Sequence, residues 1–136
     1  MSAMQRMNQV IGEQLARSGR MAVLEVRGRT SGRAIRTPVG FVEDPDGNVV
    51  VGAGSAAAHW PRNLIADPRC RISLRGTERP YVATEIHDAA RAAAVAAIQA
   101  KYGAPAARVG TGPVFRLAPV DQPAEGAVQD PASGAG

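Results

Sequence analysis

The alternation of hydrophobic and polar positions along the chain predicts short β-strands interrupted by helices. Runs of alternating or continuous apolar residues, bounded by glycine, proline and aspartate, indicate six strands. They cover residues 21–28, 34–43, 48–54, 70–76, 79–87 and 112–120. Asp46-Gly47 and Gly76-Thr77 supply turn residues between consecutive runs, so most neighbouring strands should be antiparallel. Pro38 inside the second run is typical of an edge strand or a bulge.

Helical periodicity appears in three further stretches. Residues 3–18 place an apolar stripe on one helix face, formed by Met4, Met7, Val10, Ile11 and Leu15. Residues 57–68 predict a short helix, because Pro61 suits a first turn and Asp67-Pro68 ends it. Asp88 is expected to cap an alanine-rich helix that ends at Gly103. The predicted fold is therefore α+β, a small β-barrel of about six mainly antiparallel strands with flanking helices.

The chain divides into three regions by composition. Residues 1–20 form the amphipathic helix, residues 21–119 the barrel, and residues 120–136 a tail rich in proline, glycine, alanine and serine. We expect the tail to be disordered, since it has too little apolar surface to fold. The apolar stripe of the first helix fits packing on the core, a lid over a substrate, or weak contact with a membrane surface.

Composition and charge narrow the class of partner. The 136 residues suit one domain, with 16 basic residues against 12 acidic ones and a formal charge of +4. This balance predicts an anionic partner, which could be nucleic acid, a membrane surface or a small molecule. One Trp, two Tyr and two Phe are too few and scattered for a base-stacking platform, which argues against nucleic acid.

The single cysteine and the hydropathy pattern indicate the cellular compartment in which the protein works. Cys70 has no partner for an internal disulfide, and it is expected to be a small core residue. The sequence has neither an apolar run long enough to span a membrane nor the apolar core of a signal peptide. These features predict a cytoplasmic protein, at most peripheral to a membrane.

The stretch of residues 27–40 concentrates positive charge around a flexible turn. Its four arginines are Arg27, Arg29, Arg33 and Arg36. Gly28 and Gly32 allow the backbone to approach a ligand, and Thr30 and Ser31 add hydroxyl donors. Because side chains alternate along a strand, about two of the arginines can converge on one site. The pattern fits an anion site or a solvated basic hairpin.

A second candidate lies where the third predicted strand runs into a helix. Gly52, Ala53, Gly54 and Ser55 are small enough to let a flat ring lie against the backbone. Trp60 and Asn63 lie three residues apart and share one helix face. They either pack in the core and cap a neighbouring element, or they contact a ligand. His59 and His87 have no paired ligand spacing, so no metal site is predicted. No acid or base stands out, and any catalysis would depend on a cofactor.

The order and spacing of these motifs resemble the deazaflavin (coenzyme F-420)-dependent nitroreductase family, which has a split β-barrel fold. The similarity covers residues 21–119. The matching positions are Gly28-Arg29-x-Ser31-Gly32, then Arg36-Thr37-Pro38, and then Trp60-x-x-Asn63-Leu64-x-Ala66-x-Pro68. Two departures are visible: Thr30 stands where many members have Lys or Arg, and Arg36 sits one residue later than in the commonest spacing.

The resemblance implies an oxidoreductase that passes a hydride from reduced F-420 to a quinone, enone or nitro compound. Arg29 and Arg36 would hold the cofactor's phosphate and polyglutamate tail, and the deazaflavin ring would lie against the backbone of Pro38-Val39 and Gly52 to Ser55. The implied cofactor-binding residues are Arg29, Thr30, Ser31, Gly32, Arg36, Pro38, Val39, Gly52, Ala53, Gly54, Ser55, Trp60 and Asn63.

Two other functions remain open from the sequence. The chain could be a non-catalytic binding protein for F-420 or a lipid-like ligand, or a split-barrel enzyme that binds FMN. The expected partner is a small hydrophobic acceptor, and exposed strand edges would allow a homodimer. The sequence assigns neither a catalytic residue nor a physiological substrate.

Overall fold

The computed structural model describes residues 20–55 and 57–120. In chain order, the elements are β1 (Ala22–Arg27), β2 (Ala34–Val39), β3 (Phe41–Glu43), β4 (Val49–Gly52), α1 (His59–Ala66), β5 (Arg69–Leu74), β6 (Thr77–Glu85), α2 (Asp88–Tyr102), a 3-10 turn (Ala104–Ala106) and β7 (Val114–Pro119). The predicted helix at residues 3–18, with its roles as lid or membrane contact, and the predicted tail after residue 120 lie outside the described residues.

All seven described strands belong to one antiparallel sheet in the order β2-β1-β5-β6-β7-β4-β3. The two edge strands, β2 and β3, are separated in the chain by Gly40 alone. The two edges therefore meet, and the sheet curls into a split barrel. The predicted α+β class is confirmed, and the single strand expected over residues 34–43 is two strands that serve opposite edges. Pro38 lies in one of these edge strands, as its missing N–H requires.

The inner face of the curled sheet forms the main core. On β1, Ala22, Leu24 and Val26 point inwards and are at most 2% exposed, whereas Glu25 and Arg27 lie on the outer face. Leu64 of α1 belongs to the same cluster. Helix α2 instead covers the outer face of β3, β4 and β7, where Val50 and Val114 join a second cluster. Burial of these apolar side chains is the main stabilising contribution to the fold.

Two local predictions were wrong by one residue. The turn between β5 and β6 uses Arg75 and Gly76, which both have positive φ (51° and 84°), and Thr77 already begins β6. At the start of α2 the extended N-cap is His87, and Asp88 is the first helical residue, with φ 56°. An N-cap requires extended backbone, so Asp88 cannot serve as one. Gly103 ends α2 as predicted, and its N–H donates to the Gln99 carbonyl.

The C-terminal end of α2 holds the bend between β2 and β3. A Cβ atom at Gly40 would lie 3.1 Å from the Tyr102 ring, so the backbone packs directly on that ring. The Tyr102 hydroxyl accepts a hydrogen bond from the Phe41 N–H (3.0 Å) and donates to the Arg20 carbonyl (2.6 Å). Lys101 Nζ donates to the Phe41 carbonyl (2.8 Å). One helix end therefore fixes the chain immediately after the bend and also the residue Arg20 that precedes β1.

We expect Tyr102→Phe to lower the free energy of unfolding by about 1–3 kcal/mol, because the half-buried Phe41 N–H loses its acceptor and the exposed Arg20 carbonyl loses its donor. Urea unfolding followed by circular dichroism measures this change. Tyr81→Phe is the matched control, since Tyr81 is buried but its hydroxyl has no hydrogen-bond partner among the described residues. Equal losses for the two variants would contradict a specific role for the Tyr102 hydroxyl.

Candidate functional site

The turn between β1 and β2 is closed by its own backbone. The Gly28 N–H donates to the Arg33 carbonyl and the Gly32 N–H to the Gly28 carbonyl, each at 2.8 Å. Gly32 has a φ of 72°, a conformation that favours glycine. Ser31 Oγ accepts from the Arg33 N–H at 3.1 Å. These bonds shape the arginine-rich turn, residues 28–33, and leave Arg29, Thr30 and Ser31 exposed to solvent.

Helix α1 holds this turn through one buried side chain. Asn63 Oδ1 accepts hydrogen bonds from the Arg29 N–H (3.1 Å) and from Arg29 Nη1 (2.6 Å). Asn63 is only 3% exposed. Two residues 34 positions apart, each singled out in a different motif, therefore form one unit. The predicted anion turn and the predicted Trp-Asn helix are therefore in direct contact.

The Trp60 side chain is half-buried and packs on the core. It packs against the main core cluster, and its ring lies 5.9 Å from that of Phe115 at an interplanar angle of 54°. Such tilted aromatic pairs stabilise a core. This geometry favours the core alternative for Trp60, and any contact of Trp60 with a ligand stays a prediction.

Arg36 lies in a different environment from Arg29. It sits directly opposite Glu25 on the outer face of the sheet, and its Nη1 is 3.1 Å from Glu25 Oε1 and 3.4 Å from Glu78 Oε1. Arg71 also pairs with Glu78, and its hydrogen bond holds the pKa of the Glu78 carboxyl below its usual range. The charge of Arg36 is thus balanced by carboxylates, whereas Arg29 bonds a neutral amide. A phosphate-binding role for Arg36 stays a prediction.

The small residues after β4 pack against the segment that follows α2. The Ala53 N–H donates to the Pro113 carbonyl (2.9 Å), and Thr111 Oγ1 donates to the Gly54 carbonyl (2.7 Å). A Cβ atom at Gly52 would lie 2.7 Å from the Val109 side chain. Gly52 therefore lacks a side chain because two protein segments meet there, a reason that the sequence did not reveal.

Gly54 differs from Gly52 because a side chain could be accommodated at its Cα. Among the described residues, a Cβ atom there would meet the Arg108 side chain alone, at 3.7 Å, which is ordinary van der Waals contact. Val39 and Ala53, by contrast, are at most 5% exposed with their backbone included, so they offer almost no surface to a ligand. Within the predicted ring site, Gly54 and the half-buried Ser55 are the positions where a flat group could approach.

Sequence reasoning missed the segment that supports Gly54. Arg91 and Gln99 of α2 donate to the carbonyls of Gly110 and Val109, the latter at 3.2 Å, and so hold this segment against the helix. Thr111 then reaches the Gly54 carbonyl from the supported segment. The only sequence signal was a pair of glycines, Gly110 and Gly112, and glycines alone do not show what they pack against.

A cavity lies on the outer face of the sheet. It has a volume of about 280 Å³ and is lined by, among others, Arg27, Asp67, Arg69 and Cys70. Arg69 pairs with Asp67 at 3.0 Å, and that hydrogen bond lowers the pKa of the Asp67 carboxyl. Burial raises the pKa of the Cys70 thiol to about 12, so it stays protonated at neutral pH. Cys70 is 6% exposed and belongs to the main core cluster, as predicted.

Within residues 20–55 and 57–120, no group of three or more His, Cys, Asp or Glu side chains could hold a metal ion. In the same ranges, no helix has the length and hydropathy needed to cross a membrane.

Comparison with known proteins gives a family match. The sequence model of the F420H(2)-dependent quinone reductase family matches residues 1–117. No curated protein sequence matches the chain.

Solved structures share the fold at low identity. One described as an F420-H2 dependent reductase, FDR-A, is 20% identical, with a TM-score of 0.61 over 72% of this chain and 93% of its own. HutZ, a haem storage protein from Vibrio cholerae, is 17% identical, with a TM-score of 0.61 over 80% of this chain and 87% of its own. A third, described as a domain-swapped dimer, is 18% identical, with a TM-score of 0.60 over 85% and 99%. At such identities the structural likeness shows the fold alone.

Proposed function

This chain belongs to the F420H(2)-dependent quinone reductase family, and we propose that it transfers a hydride from reduced coenzyme F-420 to a small hydrophobic electrophile. A quinone is the acceptor that the family description supports, while enones and nitro compounds rest on the sequence resemblance. The observation that carries the proposal is Arg29, an exposed cation in a fixed position whose charge no carboxylate balances among the described residues.

The chemistry of the turn suits the anionic end of the cofactor. F-420 carries a phosphodiester and a polyglutamate tail, so its binding site needs donors with uncompensated positive charge. A guanidinium has five N–H donors, and Asn63 accepts from one nitrogen of Arg29, which leaves several donors for an anion. Ser31 Oγ accepts from a backbone N–H, so its hydroxyl proton remains able to donate, and Thr30 adds a second exposed hydroxyl. We assign Arg29, Thr30 and Ser31 to the phosphate and tail of the cofactor.

The ring end of the site would lie at Gly54 and Ser55. The open space beside the Gly54 Cα suits a flat ring, and the Thr111 hydroxyl fixes the adjacent carbonyl. The half-buried Pro38 would contribute backbone surface, whereas Val39 and Ala53 are buried and Gly52 is approached by Val109. When bound, the reduced deazaflavin supplies the hydride. The protein would hold the ring, orient the acceptor and exclude water, and these effects would accelerate the hydride transfer. A proton must also reach the reduced acceptor, and no residue of the chain is assigned to that step.

Cofactor titration of the wild-type protein tests the proposal. We expect F-420 to bind more tightly than FMN, because only F-420 carries the polyanionic tail that Arg29 would contact. Arg29→Ala should weaken F-420 binding by about 1–3 kcal/mol, the range for charge-assisted hydrogen bonds. Arg36→Ala should weaken it less, since Glu25 and Glu78 already balance that charge. Fluorescence titration measures all four affinities.

Arg75→Ala is the matched control for charge. Arg75 lies in the turn between β5 and β6, at the end of β5 remote from α1, where it pairs with Glu43 at 3.5 Å, and its removal changes the net charge by the same amount. We expect F-420 affinity to be retained in this variant. Equal losses at Arg29 and Arg75 would indicate a general field of the basic protein, and equal affinity for FMN would contradict the tail assignment.

Gly54→Val tests the ring site. The branched side chain would fill the space beside Gly54, so we expect F-420 binding to be abolished. The fold has room there, and the variant should still melt cooperatively in calorimetry. Gly54→Ala is the graded control, since its Cβ meets only Arg108 at 3.7 Å, and it should bind with intermediate affinity. A folded Gly54→Val variant with full affinity would place the ring elsewhere.

A further inference from the structure

We propose that Asn63 is a positioning residue, which aims Arg29 at the anionic end of the cofactor and makes no contact with the cofactor itself. This inference rests on the proposed function. It differs from the role implied by the sequence resemblance, in which Asn63 itself binds the cofactor.

The first argument is the geometry of the contact. A single oxygen, Asn63 Oδ1, accepts from both the main-chain N–H and the guanidinium of Arg29, at 3.1 and 2.6 Å. The first bond fixes where the turn lies, and the second fixes the direction of the arginine head group. A flexible arginine side chain loses rotamer entropy when a ligand orders it. The hydrogen bond to Asn63 orders the Arg29 side chain before any ligand binds.

The second argument is charge. Several arginines on the outer face of the sheet are held by carboxylates: Arg36 by Glu25 and Glu78, Arg69 by Asp67, and Arg71 by Glu78. Arg29 is held by an amide, which accepts hydrogen bonds without a negative charge. Asparagine therefore anchors the guanidinium and leaves its full positive charge for an incoming anion. An aspartate at the same position would anchor it equally well and cancel the charge.

The third argument is burial. Asn63 is 3% exposed, and Pro61 and Leu64 of the same helix are also buried. The backbone carbonyl of Asn63 accepts from the Asp67 N–H at 2.9 Å, which closes the last turn of α1. The acceptor is thus fixed on a packed element, while the residue that it orients is exposed. This division is what a positioning role requires and what direct ligand contact by Asn63 would not produce.

Asn63→Asp separates position from charge. The two side chains have the same shape, so Arg29 should stay in place and the melting temperature should change little. F-420 affinity should nevertheless fall on the order of tenfold or more, close to the loss in Arg29→Ala. The loss should grow with the number of glutamates in the tail, as measured with F-420 forms of different tail length. A purely structural asparagine would not give this dependence on tail charge.

A double-mutant cycle on F-420 affinity tests whether Asn63 acts through Arg29. We expect Asn63→Asp or Asn63→Ala to cause no further loss in the Arg29→Ala background. A further loss there that equals the loss in the wild-type background would show direct contact and overturn the inference, with the proposed function intact. Failure of the wild-type protein to bind F-420 would instead overturn the proposed function and this inference with it.

Discussion

The bend of the chain at Gly40 is the constraint on which the rest of the structure depends. One continuous stretch supplies both edges of the sheet, with β2 pairing to β1 and β3 pairing to β4. A side chain at this position would press into the Tyr102 ring, whose hydroxyl bonds the chain beside the bend. Closure of the sheet leaves one interior for the core, and α2 then covers part of the outside.

Helix α1 connects the two halves of the candidate site. It begins a few residues after Ser55, whose carbonyl accepts from the Ala58 N–H, and its Asn63 reaches the turn at Arg29. The space beside Gly54 and the arginine-rich turn are therefore joined by one short, well-packed element. The distribution of charge also separates the turn from the sheet. Arginines on the outer face of the sheet pair with carboxylates, whereas Arg29 of the turn is anchored by the Asn63 amide. A polyanionic cofactor is the ligand that such an arrangement suits.

The sequence predicted the strands and helices because their signals are local. Alternating apolar residues, Asp46-Gly47 and Gly103 each act within a few positions. The order of the motifs also indicated the family, which the match over residues 1–117 confirms. The sequence could not show contacts between distant segments. The pairing of Arg36 with Glu78 spans 42 positions, and the close approach that excludes a side chain at Gly52 comes from Val109. Both gave patterns that, by themselves, fitted a ligand as well as protein packing.

The most direct test of the proposed function is catalysis of hydride transfer. Reduced F-420 is mixed with a small quinone, with and without the protein, and reoxidation of the cofactor is followed by its absorbance. The account predicts a protein-dependent rate that saturates with quinone, is lost in Gly54→Val, and is much lower when reduced FMN replaces F-420. Tight binding of F-420 without any acceleration would show a binding protein in place of a reductase and contradict the account.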